Sequence, residues 1–334
     1  MRVVQLGFGA VGRENVRQLL ERGHEVAGIV DTRPDLADEV GRVFPQLQKE
    51  GVAVGAHLAQ CLRAARPDVV LQATSFQEDQ MVETVRAAAL AGADLVTING
   101  LAFIQRRYPA LFAAVDAIAR NAGIRVLGAG LIPGFLSDLL PVFLTGGCAR
   151  VDTVEVRRLA DYSGWGPDVM KRYGFGLRQQ EFDAGLARGE IGLFKALWQS
   201  ADMIAATLGW NATCEKEWKE PILSARLRRG AHVAVEPGTV GGFRHAVQLE
   251  DDRGRHVRVE VHGLIDPQGS DESPSTSVRI VGQPGIECTL GGEICSAAGA
   301  LAASSARMVN AIPRLVLTQP GVRATTDLPT IVCA

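Results

Sequence analysis

Residues 2–6, RVVQL, form a short apolar run, and a glycine-rich hexapeptide, GFGAVG, follows at once. RENVRQLLERG comes next, with apolar positions at helical spacing and Gly23 to close it. HEVAGIVD is a second apolar run and ends in Asp31. Strand, glycine turn, helix, strand and acid, in that order, predict the opening unit of a dinucleotide-binding fold. The alternation continues. ARPDVVLQAT reads as a strand, DQMVETVRAAALAG as a helix and ADLVTIN as a strand. ALFAAVDAIARNAG reads as a helix with small apolar residues facing inward, and IRVLGAG as the next strand. Strands alternating with helices predict a parallel sheet covered on both faces and doubly wound.

After LIPGFLSDLLPVFL the pattern changes. TVEVRRLADY alternates apolar with polar positions, as a strand with one solvated face does. LFKALWQSADMIAATLGW has the spacing of an amphipathic helix. From about 222 to 290 come further alternating stretches, ARLRRGAHVAVE, HAVQLEDDRGRHVRVEVHGLI and STSVRIVG. They predict an antiparallel sheet with a hairpin turn at Asp252 to Gly254. The polar stretch 266–276 reads as a surface loop, and helical spacing resumes over 293–312. The expected fold is therefore α/β: a Rossmann doubly wound parallel sheet plus an α+β domain with a mainly antiparallel sheet. The expected boundaries are 1–140 for the dinucleotide-binding domain, 141–292 for the substrate domain, and 293–334 for a helix and tail that pack back on the first domain.

Composition narrows the function classes. Apolar residues are 47% of the 334 and charged residues 22%, enough for a large core. The formal net charge of -2 gives no electrostatic case for nucleic acid or an anionic membrane. No apolar run reaches the ~20 residues of a membrane span, and the N-terminus lacks the layout of a signal peptide. Six scattered cysteines without a C-x-x-C pair read as reduced thiols in a cytoplasmic protein. The six histidines show no metal-ligand spacing, so no metal is expected.

Gly7, Phe8, Gly9, Ala10, Val11 and Gly12 form the phosphate turn. Gly7 permits the tight turn, Gly9 lets a pyrophosphate approach the backbone, and Gly12 lets helix and strand pack closely. Asp31 is expected to accept from the adenosine ribose hydroxyls, which favours NAD. Arg33, two residues later, could instead hold a 2′-phosphate or stack on adenine, so NADP stays open. Thr74, Ser75 and Phe76 end a strand at the carboxyl edge of the sheet. They either line the cofactor or form a plain helix cap. Asn99 and Gly100 end the next strand on that edge. A carboxamide there can donate to a carbonyl or to the nicotinamide amide, but it cannot act as a general base. Asn-Gly is equally the commonest turn dipeptide. Ile132, Pro133 and Phe135 follow the last strand of the first domain as candidate pocket residues, with Asp138 expected as a helix cap. Tyr162, Trp165 and Tyr173 lie in an aromatic, glycine-rich segment that either closes over a substrate or packs between domains. Tyr173 is a candidate proton donor.

With these residues in view the chain resembles the 2,4-diaminopentanoate dehydrogenases and the native amine dehydrogenases, which share an N-terminal domain with dihydrodipicolinate reductases. The resemblance covers nearly the whole chain. It rests on GFGAVGR, GAGLIPGFLSDLLP, YGFGLRQQEF, GEIGLFKALWQSADMIAATLGW and, most specifically, MVNAIPRLVLTQPGVRATTDLP. It implies a Rossmann domain, an α+β domain that supports homodimerisation, and reversible oxidation of an amine carbon with hydride passing to NAD or NADP. It also implies an acid after the strand ending in Thr97. The family usually has Glu-Glu where this chain has Asn99-Gly100, and Asn-Pro-Gly where it has Ile132-Pro133-Gly134. It often has Gly-His-Val-Gly-Leu where this chain has Gly189-Glu190-Ile191-Gly192-Leu193. Asn99 thus takes the position of a catalytic acid. Either Glu190 supplies the carboxylate, or the substrate needs none, as a preformed cyclic imine or a ketone would not. The expected activity is hydride transfer at a C–N carbon of a small, fairly apolar molecule. A carbonyl reductase and a cofactor-bound protein without redox turnover are the alternatives.

Overall fold

The computed structural model describes residues 1–194, 196–269 and 273–333. Positions 270–272, inside the predicted surface loop, lie outside the described residues. The chain falls into two compact units, Met1–Phe135 with Leu301–Ala334, and Leu136–Ala300.

The first unit begins with β1 (Arg2–Leu6), α1 (Ala10–Glu21) and β2 (Glu25–Val30). The region 32–64, to which periodicity assigns no element, holds α2 (Leu36–Val43), α3 (Pro45–Lys49), β3 (Ala53–Gly55) and all but the last residue of α4 (Leu58–Ala65). These elements run from three to eight residues, too short for a periodic signal to accumulate. Then come β4 (Val69–Gln72), α5 (Glu78–Ala91), β5 (Asp94–Thr97), α6 (Pro109–Ala122) and β6 (Arg125–Gly128).

The second unit holds α7 (Leu139–Thr145), β7 (Arg150–Asp161), α8 (Pro167–Tyr173), α9 (Gln179–Ala187) and α10 (Leu197–Thr207). It continues with β8 (Ala212–Leu223), β9 (Arg228–Arg229), β10 (Ala234–Val235), β11 (Val240–Asp251), β12 (His256–Leu264), β13 (Ser275–Gln283) and β14 (Ile286–Leu290). The chain returns to the first unit through α11 (Ala297–Leu315) and β15 (Gly321–Arg323).

The seven strands of the first sheet are all parallel, in the order β15-β6-β5-β4-β1-β2-β3. Successive residues along each strand point to opposite faces. Val3, Ile29, Leu71, Val96 and Leu127 therefore pack with α1, α2, α3 and α11. Val4, Val30, Val70, Leu95 and Val126 pack with α4, α5 and α6. Two covered faces explain why these strands read as unbroken apolar runs.

The second sheet has the order β14-β13-β7-β12-β11-β8. It is antiparallel except for one pair, β7 with β12, which runs parallel; β9 and β10 pair separately as a two-stranded antiparallel sheet. One face carries Val154, Val156, Phe243, Val247, Val257 and Val259 against α10. The other carries charged ladders, including Arg244, Arg258 and Glu260. The β11–β12 hairpin closes where the turn residues predict. Asp251 Oδ1 accepts from the backbone N–H groups of Arg253 (2.9 Å) and Arg255 (3.0 Å), and Gly254 adopts φ 76°.

Candidate functional site

The carboxyl edge of the first sheet gathers the glycine turn, Asp31, Arg33 and the two loops after β4 and β5. Gly7 N–H donates to the Val30 carbonyl at 2.7 Å, which ties the turn to β2. Gly7 sits at φ 85°, and a Cβ there would meet the Ala73 carbonyl oxygen at 2.5 Å. A Cβ on Gly12 would lie 2.0 Å from the Gly7 carbonyl oxygen, so helix and turn touch backbone to backbone. Gly9 differs from both: its φ is -71°, and a Cβ built on it meets nothing within 4 Å. The space over Gly9 is therefore open from solvent. Gly9 also precedes α1, whose N-terminus has no side-chain cap and no acidic residue in its first turn. Unopposed N–H groups and the positive end of the helix dipole favour a phosphate there. The residues fit a dinucleotide.

Two buried amides that sequence reading missed hold this turn. Gln5 Nε2 donates to the Gly7 carbonyl at 2.8 Å, and Asn15 Nδ2 donates to Gln5 Oε1 at 3.1 Å. Both side chains are fully buried. The signal was present in RVVQL, where one amide interrupts an otherwise apolar strand. Phe8 contributes differently from the expectation. Its ring is buried in the core, edge-on to Phe44, so only its backbone faces the turn.

Asp31 Oδ2 accepts from Phe8 N–H at 2.6 Å, and Oδ1 accepts from the backbone N–H (3.1 Å) and Nε (3.2 Å) of Arg33. Burial pushes the Asp31 carboxyl up, but these hydrogen bonds outweigh it and hold the group below its ordinary range. Arg33 is not a loosely solvated loop residue. Its Nη2 donates to the Phe8 carbonyl at 2.8 Å and its Nη1 pairs with Glu39 at 2.6 Å.

Thr74, Ser75 and Phe76 do not cap the next helix; the residue before α5 is Gln77, without a side-chain cap bond. Gln72 Nε2 holds Thr74 Oγ1 at 2.9 Å. Asn99 Nδ2 donates to the Thr74 carbonyl, and Thr97 Oγ1 accepts from Asn99 N–H at 3.2 Å. The carboxamide is a clasp between the loops after β4 and β5. Gly100, at φ 81°, lies under the Phe76 ring, which a Cβ would strike at 2.0 Å. Ile132 and Pro133 join through a cis peptide, and Gly134 follows at φ 118°. Arg307 Nη2 donates to the Gly134 carbonyl at 3.2 Å, and its guanidinium stacks 4.7 Å over the Phe135 ring. Phe135 therefore covers a buried cation that sequence reading did not connect with it.

The remaining candidates lie in the second unit. Asp138 caps α7 as expected, accepting from Leu139 N–H at 2.6 Å and from Ser200 Oγ at 2.9 Å. Tyr162, from the same aromatic segment, is the hub of an aromatic cluster. Trp165 stacks on it at 5.7 Å, Tyr173 meets it edge-on at 5.4 Å, and Phe243 at 5.5 Å. Burial pushes the Tyr173 phenol up, against the opposing pull of Arg172. Glu190 is exposed and takes both oxygens to Arg188 at 2.8 Å. That bond holds its carboxyl below the usual range, so it stays ionised. With Arg172, Leu186 and Lys219 it lines a cavity of about 500 Å³.

Comparison with known proteins bears on what this arrangement does. The 2,4-diaminopentanoate dehydrogenase C-terminal domain model matches residues 135–334. The homoserine dehydrogenase NAD-binding domain model matches residues 7–125. The 2,4-diaminopentanoate dehydrogenase of Acetoanaerobium sticklandii is 26% identical over 336 residues, spanning 98% of this chain and 93% of that protein. An amine dehydrogenase of Streptomyces virginiae is 25% identical over 360 residues, spanning 97% and 94%. The structure of an amine dehydrogenase from Mycobacterium smegmatis superposes with a TM-score of 0.85 at 23% identity, spanning 100% and 97%, and shares this fold.

Proposed function

The chain belongs to the 2,4-diaminopentanoate dehydrogenase family, it is an NAD(P)-dependent oxidoreductase acting at a C–N carbon, and on that premise we propose how its residues divide the work. The observation that carries the reading is the open cradle over Gly9 beside the hydrogen-bonded Asp31. Gly7 to Gly12 would hold the pyrophosphate and Asp31 the adenosine ribose, with NAD favoured over NADP because a 2′-phosphate would face the Asp31 carboxylate. When bound, the nicotinamide supplies or accepts the hydride.

Asn99 positions rather than transfers protons. One N–H of its amide goes to the Thr74 carbonyl, which ties the loop bearing Thr74, Ser75 and Phe76 to that bearing Gly100. A carboxamide has no proton to exchange at neutral pH. The substrate is then best taken as a small, fairly apolar amine or imine, and Ile132, Pro133 and Phe135 of the first unit are its candidate contacts. Tyr173 and Glu190 are the candidate proton carriers. A preformed cyclic imine suits this set better than a ketone with free ammonia, since no added carboxylic acid is needed. We also read the protein as a cytoplasmic homodimer. Its six cysteines are free thiols, and the dimer follows from the family resemblance. Among the described residues no helix is long and apolar enough to cross a membrane.

The test is cofactor turnover. Purified protein is mixed with NADH or NADPH and offered cyclic imines, ketones with ammonia, and ketones alone, while nicotinamide absorbance is followed. Turnover fastest on the cyclic imines with NADH is the expected result. Faster turnover on ketones without ammonia would overturn the C–N assignment for this chain.

A further inference from the structure

The site at the end of β2 contains two arginines that the ribose reading leaves without a purpose. Arg13 lies on α1 and Arg33 in the loop after β2. Both point to one carboxylate, Glu39 of α2, which is 7% exposed. Arg13 Nη1 pairs with Glu39 Oε1, and Arg33 Nη1 with Glu39 Oε2 at 2.6 Å. The remaining guanidinium nitrogens of Arg33 are also engaged: Nε with Asp31 at 3.2 Å and Nη2 with the Phe8 carbonyl at 2.8 Å. A guanidinium placed just after this strand is what a 2′-phosphate requires. Here it is present but fully committed.

We infer that Glu39 sets the cofactor choice, by occupying Nη1 of both Arg33 and Arg13 so that neither guanidinium is free to take a 2′-phosphate beside Asp31. Glu39 is a positioning residue. It acts through the arginines and need not touch the cofactor. The charges of Asp31, Glu39, Arg13 and Arg33 cancel. With Glu39 neutral the group gains a net positive charge, and Nη1 of Arg33 loses its carboxylate partner. A 2′-phosphate would take up that nitrogen in a charge-assisted hydrogen bond. The inference rests on the cofactor reading above and adds to it a residue outside the fingerprint.

The test uses 5′-AMP and 2′,5′-ADP, which differ only in the 2′-phosphate, titrated by calorimetry into the full-length protein. Glu39→Gln is expected to raise the preference for 2′,5′-ADP roughly tenfold or more, the lower end for a hydrogen bond to a charged group. Its affinity for 5′-AMP should stay within about twofold, less than the loss of one hydrogen bond, since Glu39 acts only through the arginines. Adding Arg33→Ala to Glu39→Gln should return the preference to the wild-type value. Steady-state kcat/KM for NADPH against NADH should move in the same direction. An unchanged preference in a folded Glu39→Gln variant that still binds 5′-AMP overturns the inference. Should that variant not fold, Arg33→Ala alone decides. A locked arginine leaves the preference as it was, whereas a tenfold loss means Arg33 already serves a phosphate and Glu39 holds nothing back. If wild-type protein binds neither nucleotide, the ribose reading itself falls, and this inference with it.

Discussion

Asn99 occupies a position where a carboxylic acid would serve proton transfer, yet its visible work is mechanical. Nδ2 donates to the Thr74 carbonyl, and the backbone around it is pinned by Thr97. Asn99→Ala leaves that carbonyl without its partner and should cost about 1 kcal/mol, seen as a fall of roughly 2–4 °C in the melting temperature. Asn99→Glu restores the acid but turns a carboxylate toward a carbonyl. It should raise ammonia-dependent turnover on ketones while losing at least as much stability as the alanine variant. Stability loss without any gain in turnover would mean that pocket shape, not the acid, limits the chemistry. The dipeptide Asn99-Gly100 was legible as a turn; the clasp was not, because its acceptor lies 25 positions away in sequence.

At the scale of elements, the phosphate turn separates folding from binding. A Cβ at Gly9 enters empty space, and the residue already has an ordinary backbone. Gly9→Ala should therefore fold like wild type and weaken NAD(H) binding by roughly tenfold or more, the range for losing charge-assisted hydrogen bonds. Gly12→Ala drives a methyl into the Gly7 carbonyl and should lower stability as well as binding. Equal melting temperatures for the two variants would contradict this division. The second sheet supplies a pH dependence. Glu260 on β12 is largely buried and accepts from Arg244 Nη2 (3.0 Å), Arg258 Nη2 (2.8 Å) and His262. Burial pushes its carboxyl up, but bonds from His262, Arg244 and Arg258 prevail and hold it well below the usual range. A depressed folded pKa stabilises above the unfolded value of about 4.3 and loses that contribution as pH falls through the folded one. Glu260→Gln should thus cost about 1–3 kcal/mol at neutral pH, with the gap to wild type narrowing below about pH 4. Urea melts across pH check this; a gap that stays constant in acid would mean packing, not charge, is what Glu260 contributes.

At the scale of the molecule, the first unit is built from both ends of the chain. Met308, Val309, Ile312 and Leu315 of α11 are fully buried against α1 and the first sheet, and β15 extends that sheet beyond β6. At about 1.5–3 kcal/mol for each buried side chain, the loss of these four is comparable to the whole stability of an ordinary domain. A chain ending at Ala300 should keep the complete glycine fingerprint and still fail to bind 5′-AMP, with a smaller unfolding transition by circular dichroism, that of the second unit alone. Retained binding would show that residues 1–135 fold alone. The helical spacing of 293–312 announced α11, but β15 is three residues long and carries no period to read. By itself the sequence determined the local matters: the alternation of strands and helices, the phosphate turn, Asp31 as its acid, the β11–β12 hairpin and the family. Each of these is written in neighbouring residues, where periodicity and backbone sterics act directly. Only the tertiary structure decided that Gln5 and Asn15 brace the turn, that Asn99 clasps Thr74, that Phe8 turns inward, and that Glu39 holds two arginines. Those pairings join residues from different elements, and a buried polar group takes whichever partner the packing brings within reach, which no local pattern encodes.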